Sequence, residues 1–177
     1  KAGEKSLARY AVEEAHGYYK KAYDILGAKE GKTEEEKKLF IDMLNSWGYV
    51  YYSLGDMKAF ISLFESHKAL AESMGDKARL GMFYAWLGIS NYMAGPQKDS
   101  YDYLRSALAL GEQAGDEKVV GYACAWLPFT CAYLGLFEEG LGYGKRAQEI
   151  AESFPSDQYL FFKSLGGTCY VYAWQRN

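Results

Sequence analysis

Histidine and cysteine, the side chains best suited to act as a base, thiol nucleophile or soft metal ligand near neutral pH, are few in this sequence: His16 and His67, then Cys124, Cys131 and Cys169. Such chemistry needs these groups brought to one point. The two histidines fall on separate helical stretches beside Glu13, Glu14 and Lys68, which reads as solvent-facing. No CxxC spacing occurs, and Cys124 and Cys131, on one helical stretch, stand about 10.5 Å apart along its axis, beyond disulfide reach. Sparse cysteines in apolar surroundings read as three buried, reduced thiols in a cytoplasmic protein. The pairs Glu13-Glu14 and Glu138-Glu139 sit where helix starts favour negative charge. Gly140-Leu-Gly-Tyr-Gly144 lies inside a helical stretch, where its glycines read as close helix packing, and no glycine-rich phosphate loop followed by Lys-Ser/Thr is present. The expectation is a non-enzymatic chain with no catalytic residue, no metal and no cofactor.

What remains is adhesion. Seventeen tyrosines stand against three prolines. Aromatic rings at matched helical positions fill the space between neighbouring helices, so only a subset is left to line a groove. The elements that place them are set by punctuation. Gly55, Gly95 and Gly135 lie forty positions apart, each closing an aromatic run, and Gly75-Asp76, Gly115-Asp116 and a weaker Ser156-Asp157 fall half a period out of phase. A two-element period of this length predicts a solenoid, whose core forms only between stacked neighbours.

Apolar positions such as Leu39, Phe40, Met43, Leu44, Trp47, Val50 and Tyr51 recur at three and four, which predicts a helix over Glu34 to Leu54. Glycine past the end and aspartate before the next start separate it from Met57 to Met74. The cycle continues with Ala78 to Met93, Ser100 to Ala114, Lys118 to Leu134, Phe137 to Phe154 and Gln158 to Trp174. One long helix from about Lys5 to Gly27 precedes them, making eight. Val119 to Phe137 carries no charge, but Pro128, Gly121 and Gly135 interrupt it and its register matches the other first helices, so it reads as a buried helix and not a membrane span. Net charge of −3 and a pI near 5.5 leave no basic footprint for nucleic acid.

Leu44, Trp47-Gly48 and Tyr51, then Tyr84, Leu87-Gly88 and Asn91, then Cys124, Leu127 and Pro128 follow one pattern. With them the chain resembles the tetratricopeptide repeat, and Ala69, Ala109 and Ala151 stand near the small-residue positions of that family's second helix. The resemblance covers 34–174. The period exceeds the family's usual length of about 34 residues and is similar to the long-helix arrays of large bacterial signalling proteins, such as maltose-regulator-type activators and multidomain nucleotide cyclases. It implies an all-α fold, a right-handed superhelix of antiparallel helix pairs, over 1–177: the second-type helix of a preceding repeat plus connection at 5–33, repeats at 34–75, 76–115 and 116–156, and a partial repeat at 157–177. Glycine at the eighth repeat position lets the first helix press on the second of its own pair. Pro128 in that place predicts a kink costing about 3 kcal/mol unless packing offsets it.

In that family the first helices line a concave groove. Carried over through Gly48, Gly88 and Pro128, its positions are Asp42, Asn45, Tyr49 and Tyr52 (with Ser53), then Met82, Ile89 and Tyr92 (with Ala85 and Met93), then Tyr122, Phe129 and Tyr133 (with Ala125 and Ala132). Almost nothing here is charged, which disfavours capture of a carboxylate tail and fits an apolar protein segment or peptide, flanking domains of the same chain included. The expected function is a protein–protein interaction scaffold in a bacterial multidomain signalling or regulatory protein; the alternative is a receptor holding a short peptide or small ligand, with Asn45 on backbone amides. The start at Lys1 without an apolar signal stretch reads as a segment of a longer soluble chain. Leu160, Phe161, Leu165, Tyr170 and Trp174 are expected to form an exposed apolar patch at an uncapped end and to favour self-association.

Overall fold

The computed structural model describes residues 1–176. Among them every element is a helix: α1 (Ala2–Leu7), α2 (Val12–Gly27), α3 (Glu34–Leu54), α4 (Met57–Ser73), α5 (Lys77–Ala94), α6 (Gln97–Ala114), α7 (Glu117–Tyr133), α8 (Phe137–Glu152) and α9 (Gln158–Trp174). Consecutive helices pack on one another, and α3, α5, α7 and α9 also pack in a row, as a helical repeat solenoid requires.

The sequence punctuation accounts for most boundaries. Asp56, Asp76, Asp116 and Asp157 each accept the amide three residues on, at 3.0–3.2 Å, and so start α4, α5, α7 and α9. Thr33 and Glu36 form a reciprocal capping box at the start of α3. Gly55, Gly75, Gly115 and Gly135 are left-handed, with φ of +66° to +77°. Gly95 breaks the series. It is extended, with φ −122° and ψ −170°, because Pro96 forces the preceding residue out of the helical region.

The expected single helix from Lys5 to Gly27 is instead two, so nine helices replace eight among the described residues. After α1 the chain closes a Schellman turn, with the Ala11 N–H donating to the Ser6 carbonyl and the Tyr10 N–H to the Leu7 carbonyl, both at 2.9 Å. The same closure follows α6, where Asp116 N–H reaches the Gly111 carbonyl, and α7, where Leu136 N–H reaches that of Cys131. There glycine takes the left-handed position; here Tyr10 does, at φ +58°. No glycine or proline marks the turn, so periodicity runs straight through it.

Close approach is local and specific. A Cβ on Gly88 would lie 2.5 Å from Leu104 Cγ, and Ser100 Oγ donates to the Gly88 carbonyl at 2.7 Å, so α5 presses on α6 as expected. Gly48 does otherwise: its absent Cβ makes room for the Trp86 ring of α5, not for α4. Pro128 does not end α7. Its ring lies against Gly144 of α8 and Gly167 of α9, where added Cβ atoms would stand 3.6 and 3.0 Å from it, so the neighbouring helices accommodate the proline. The uncharged stretch from Val119 is buried on nearly all sides of α7. No helix among the described residues is long and apolar enough to cross a membrane.

Several single-residue expectations are corrected. His16 and His67 are half-buried, not solvent-facing: Trp47 Nε1 donates to His16 Nδ1 at 3.3 Å, and His67 Nε2 pairs with the Tyr23 hydroxyl at 2.9 Å. Cys124 and Cys131 are buried, but Cys169 is exposed. In the terminal patch Phe161, Leu165 and Trp174 are exposed as expected, joined by Phe162 and Tyr172. Leu160 is fully buried, filling the space that Gly121 leaves on α7.

Candidate functional site

The row α3, α5, α7, α9 forms an inward-curling face. Rings on α3 touch a ring on α9, with Tyr49 and Tyr52 each 5.4 Å from Tyr159, although α5 and α7 lie between those helices in the row. Contact across the intervening helices is what makes the face concave, and it divides the face into two halves.

The half nearer the starts of α5 and α7 is an open cavity of about 520 Å³. Asp42, Asn45 and Tyr49 of α3, Met82 of α5 and Tyr122 of α7 line it, so the structure brings these carried-over positions together. It adds residues that the carry-over missed: Arg79, Trp86, Asp116 and Lys118. Arg79 sits one turn before Met82, and its fork holds Asp42 through Nε at 2.8 Å and Nη2 at 3.0 Å while Nη1 reaches Asp76. The Arg79 amide and guanidinium hold the Asp76 carboxyl below the usual carboxylate range. Asn45 Nδ2 donates to the Arg79 carbonyl at 3.1 Å, but its Oδ1, shielded from solvent, has no donor. On the far rim Lys118 pairs with Asp157 at 3.3 Å, and the Tyr122 hydroxyl donates to the same carboxylate at 3.1 Å. Burial, with that carboxylate, drives the Tyr122 phenol far up.

The other half is filled by rings. Tyr52, Tyr92 and Phe129 do meet there, but around Trp126 and beside Tyr159 and Tyr170. Trp126 Nε1 donates to the Tyr159 hydroxyl at 3.0 Å, which fixes both rings. Trp86 and Trp126 are forty apart, the one signal in the sequence that could have placed them. Two carried-over positions lie elsewhere. Ile89 is 0% exposed because α5 has packed neighbours on both sides. Tyr133 is exposed and meets the Trp174 ring at a tilt at the far edge.

The chain matches no family model and no curated protein. Its chemistry must therefore be read from these groups themselves. Burial pushes the Cys124 and Cys131 thiols up to about 12, so both stay protonated near neutral pH. Among the described residues no cluster of His, Cys, Asp and Glu could hold a metal ion. The cavity offers a fixed acid–base rim beside Asn45 and an apolar floor of Met82 and Trp86.

Proposed function

We infer that this chain is a non-catalytic interaction module whose concave cavity takes a short extended segment of a protein partner. The observation that carries this reading is the open cavity of about 520 Å³ itself, on which Asp42, Asn45 and Tyr49 of α3, Met82 of α5 and Tyr122 of α7 converge. A cleft of this size with a few convergent polar groups suits a short ligand, and an extended backbone brings regularly spaced N–H and C=O groups to them. The flanking pairs Asp42–Arg79 and Lys118–Asp157 hold the charged side chains in place before binding, which lowers the cost of ordering them. Tyr49, Met82 and Trp86 offer apolar area for a side chain. The closed second half of the face favours a short occupant over a whole helix, which moves the reading toward the receptor end of the scaffold–receptor range. A place in a cytoplasmic, bacterial multidomain signalling protein, and the tetratricopeptide kinship itself, belong to the same proposal and rest on the resemblance alone.

Selection of short peptides from a random library on the intact chain tests this. Selected peptides are expected to bind in the micromolar range, with roughly tenfold loss on Asn45→Ala for one hydrogen bond lost at the cavity wall and a larger loss on Met82→Arg. Peptides indifferent to both substitutions would overturn the reading.

A further inference from the structure

Among the described residues five cations lie over aromatic rings, and four of them also have polar partners. Lys32 donates to the Gly27 and Lys29 carbonyls, Lys68 to the Tyr103 hydroxyl, Arg105 pairs with Glu139 and Lys118 with Asp157. Lys163 is the exception. Its Nζ stands 4.7 Å from the Trp126 ring centre, 5.2 Å from Tyr52 and 5.9 Å from both Phe129 and Tyr159. Among the described residues no carboxylate, carbonyl or hydroxyl is paired with it.

Four rings from α3, α7 and α9 thus surround one ammonium. The rings are held by one another and not by the lysine: Tyr52 meets Trp126 and Tyr159 edge-on at 5.8 and 5.4 Å, and the Trp126–Tyr159 hydrogen bond locks the wall. A compact ammonium on a flexible four-carbon stem can leave such a box without dragging a hydrogen-bonded partner with it. Aromatic faces grip alkylated ammonium groups well, because these shed water at less cost than a primary ammonium does.

We propose that this aromatic box is a binding site for an alkylammonium group, and that Lys163 is its built-in occupant, displaced when the ligand enters. The site lies beside the open cavity lined by Asp42 and Arg79 and does not depend on a peptide occupying it. The shared chemistry is a methylated ammonium head, which either a free quaternary ammonium molecule or a methylated lysine side chain supplies.

Calorimetric titration with tetramethylammonium chloride, against sodium chloride at matched ionic strength, tests this on the intact chain. Lys163→Ala is expected to bind at least about tenfold tighter than the unmodified chain, with the Trp126 indole N–H resonance shifting on binding. Lys163→Arg, which refills the box, is expected to bind no better than the unmodified chain. Tyr52→Leu in the Lys163→Ala background is expected to lose the gain. A trimethyllysine tripeptide tighter than tetramethylammonium assigns the head to a protein segment, and equal affinity assigns it to a free molecule. Lys163→Gln repeats the measurement if Lys163→Ala does not fold. A folded, lysine-free variant that binds neither probe, or one that binds no tighter than the unmodified chain, would reduce Lys163 to a packing contact and overturn the proposal.

Discussion

Tyrosine is used in two opposite ways on the two faces of this molecule. On the inner face Tyr49, Tyr52 and Tyr159 meet ring to ring and Tyr159 accepts from Trp126, so the rings supply contact area. On the outer face, where α4, α6 and α8 run, the hydroxyls do the work: Tyr103 donates to Glu65 at 2.7 Å, and Tyr101 and Tyr143 converge on Glu139 at 2.8 and 2.7 Å with Arg105 beside them. The second helices are tied together there by exposed polar contacts between neighbouring pairs, whereas the first helices are joined by desolvated rings. Stability should therefore reside mainly on the inner face, because buried area outweighs exposed polar pairs.

The largest effect is expected at Trp126, which is 1% exposed and touches rings on three other helices. Trp126→Ala should cost about 3–5 kcal/mol and lower Tm by on the order of 10 °C, read by urea unfolding and by thermal melt. A cost below that of an outer-face substitution would invert the comparison.

An intermediate effect is expected at His67, which sits between the two faces against Tyr23 and Phe40. Burial, reinforced by the positive charge of Lys32, lowers its pKa below the ordinary 6.5. The unfolded chain then takes up a proton at higher pH than the folded one, so stability is full above pH 6.5 and is lost as pH falls from there toward the folded value. His67→Gln keeps a partner for the Tyr23 hydroxyl, so stability at pH 8 should change by less than about 1 kcal/mol. Its loss of stability between pH 6.5 and 5 should be shallower than that of the unmodified chain. Equal slopes in the two proteins would place His67 in water.

The helices were legible because their signals are local. Glycine at 55, 75, 115 and 135 and aspartate at 56, 76, 116 and 157 act through the backbone within a few residues of themselves. Tyr10 was illegible for the same reason, since the left-handed turn there is held by packing of Tyr19 over Gly3 and carries no residue-type mark. On the concave face the limit was curvature. Spacing could put Tyr49, Tyr52 and Tyr122 on one side of their helices, but not show that α9 swings in far enough for Tyr159 and Lys163 to close over them. Arg79 and Lys118 stayed hidden because they precede the carried-over positions by a turn, on the rim and not the floor.

The smallest effect, and the sharpest probe of the outer face, is at Glu139. Hydrogen bonds from Tyr143, Tyr101 and Arg105 hold its carboxyl below the ordinary 4.5. A carboxylate with a depressed folded pKa contributes stability above the unfolded value and loses it as pH falls through the folded one. Glu139→Gln removes the charge but keeps an acceptor for the two hydroxyls, so at pH 7 it should cost no more than about 1 kcal/mol. That cost should shrink in high salt and close as pH drops below 4.5, because the unmodified chain then loses the same charge. If the outer ladder carried the fold, the penalty would instead approach that of Trp126→Ala and persist in salt. Chemical denaturation at two pH values and two salt concentrations separates these outcomes, and a small, screened, acid-sensitive penalty is the one that the exposed geometry of Arg105 and Glu139 requires.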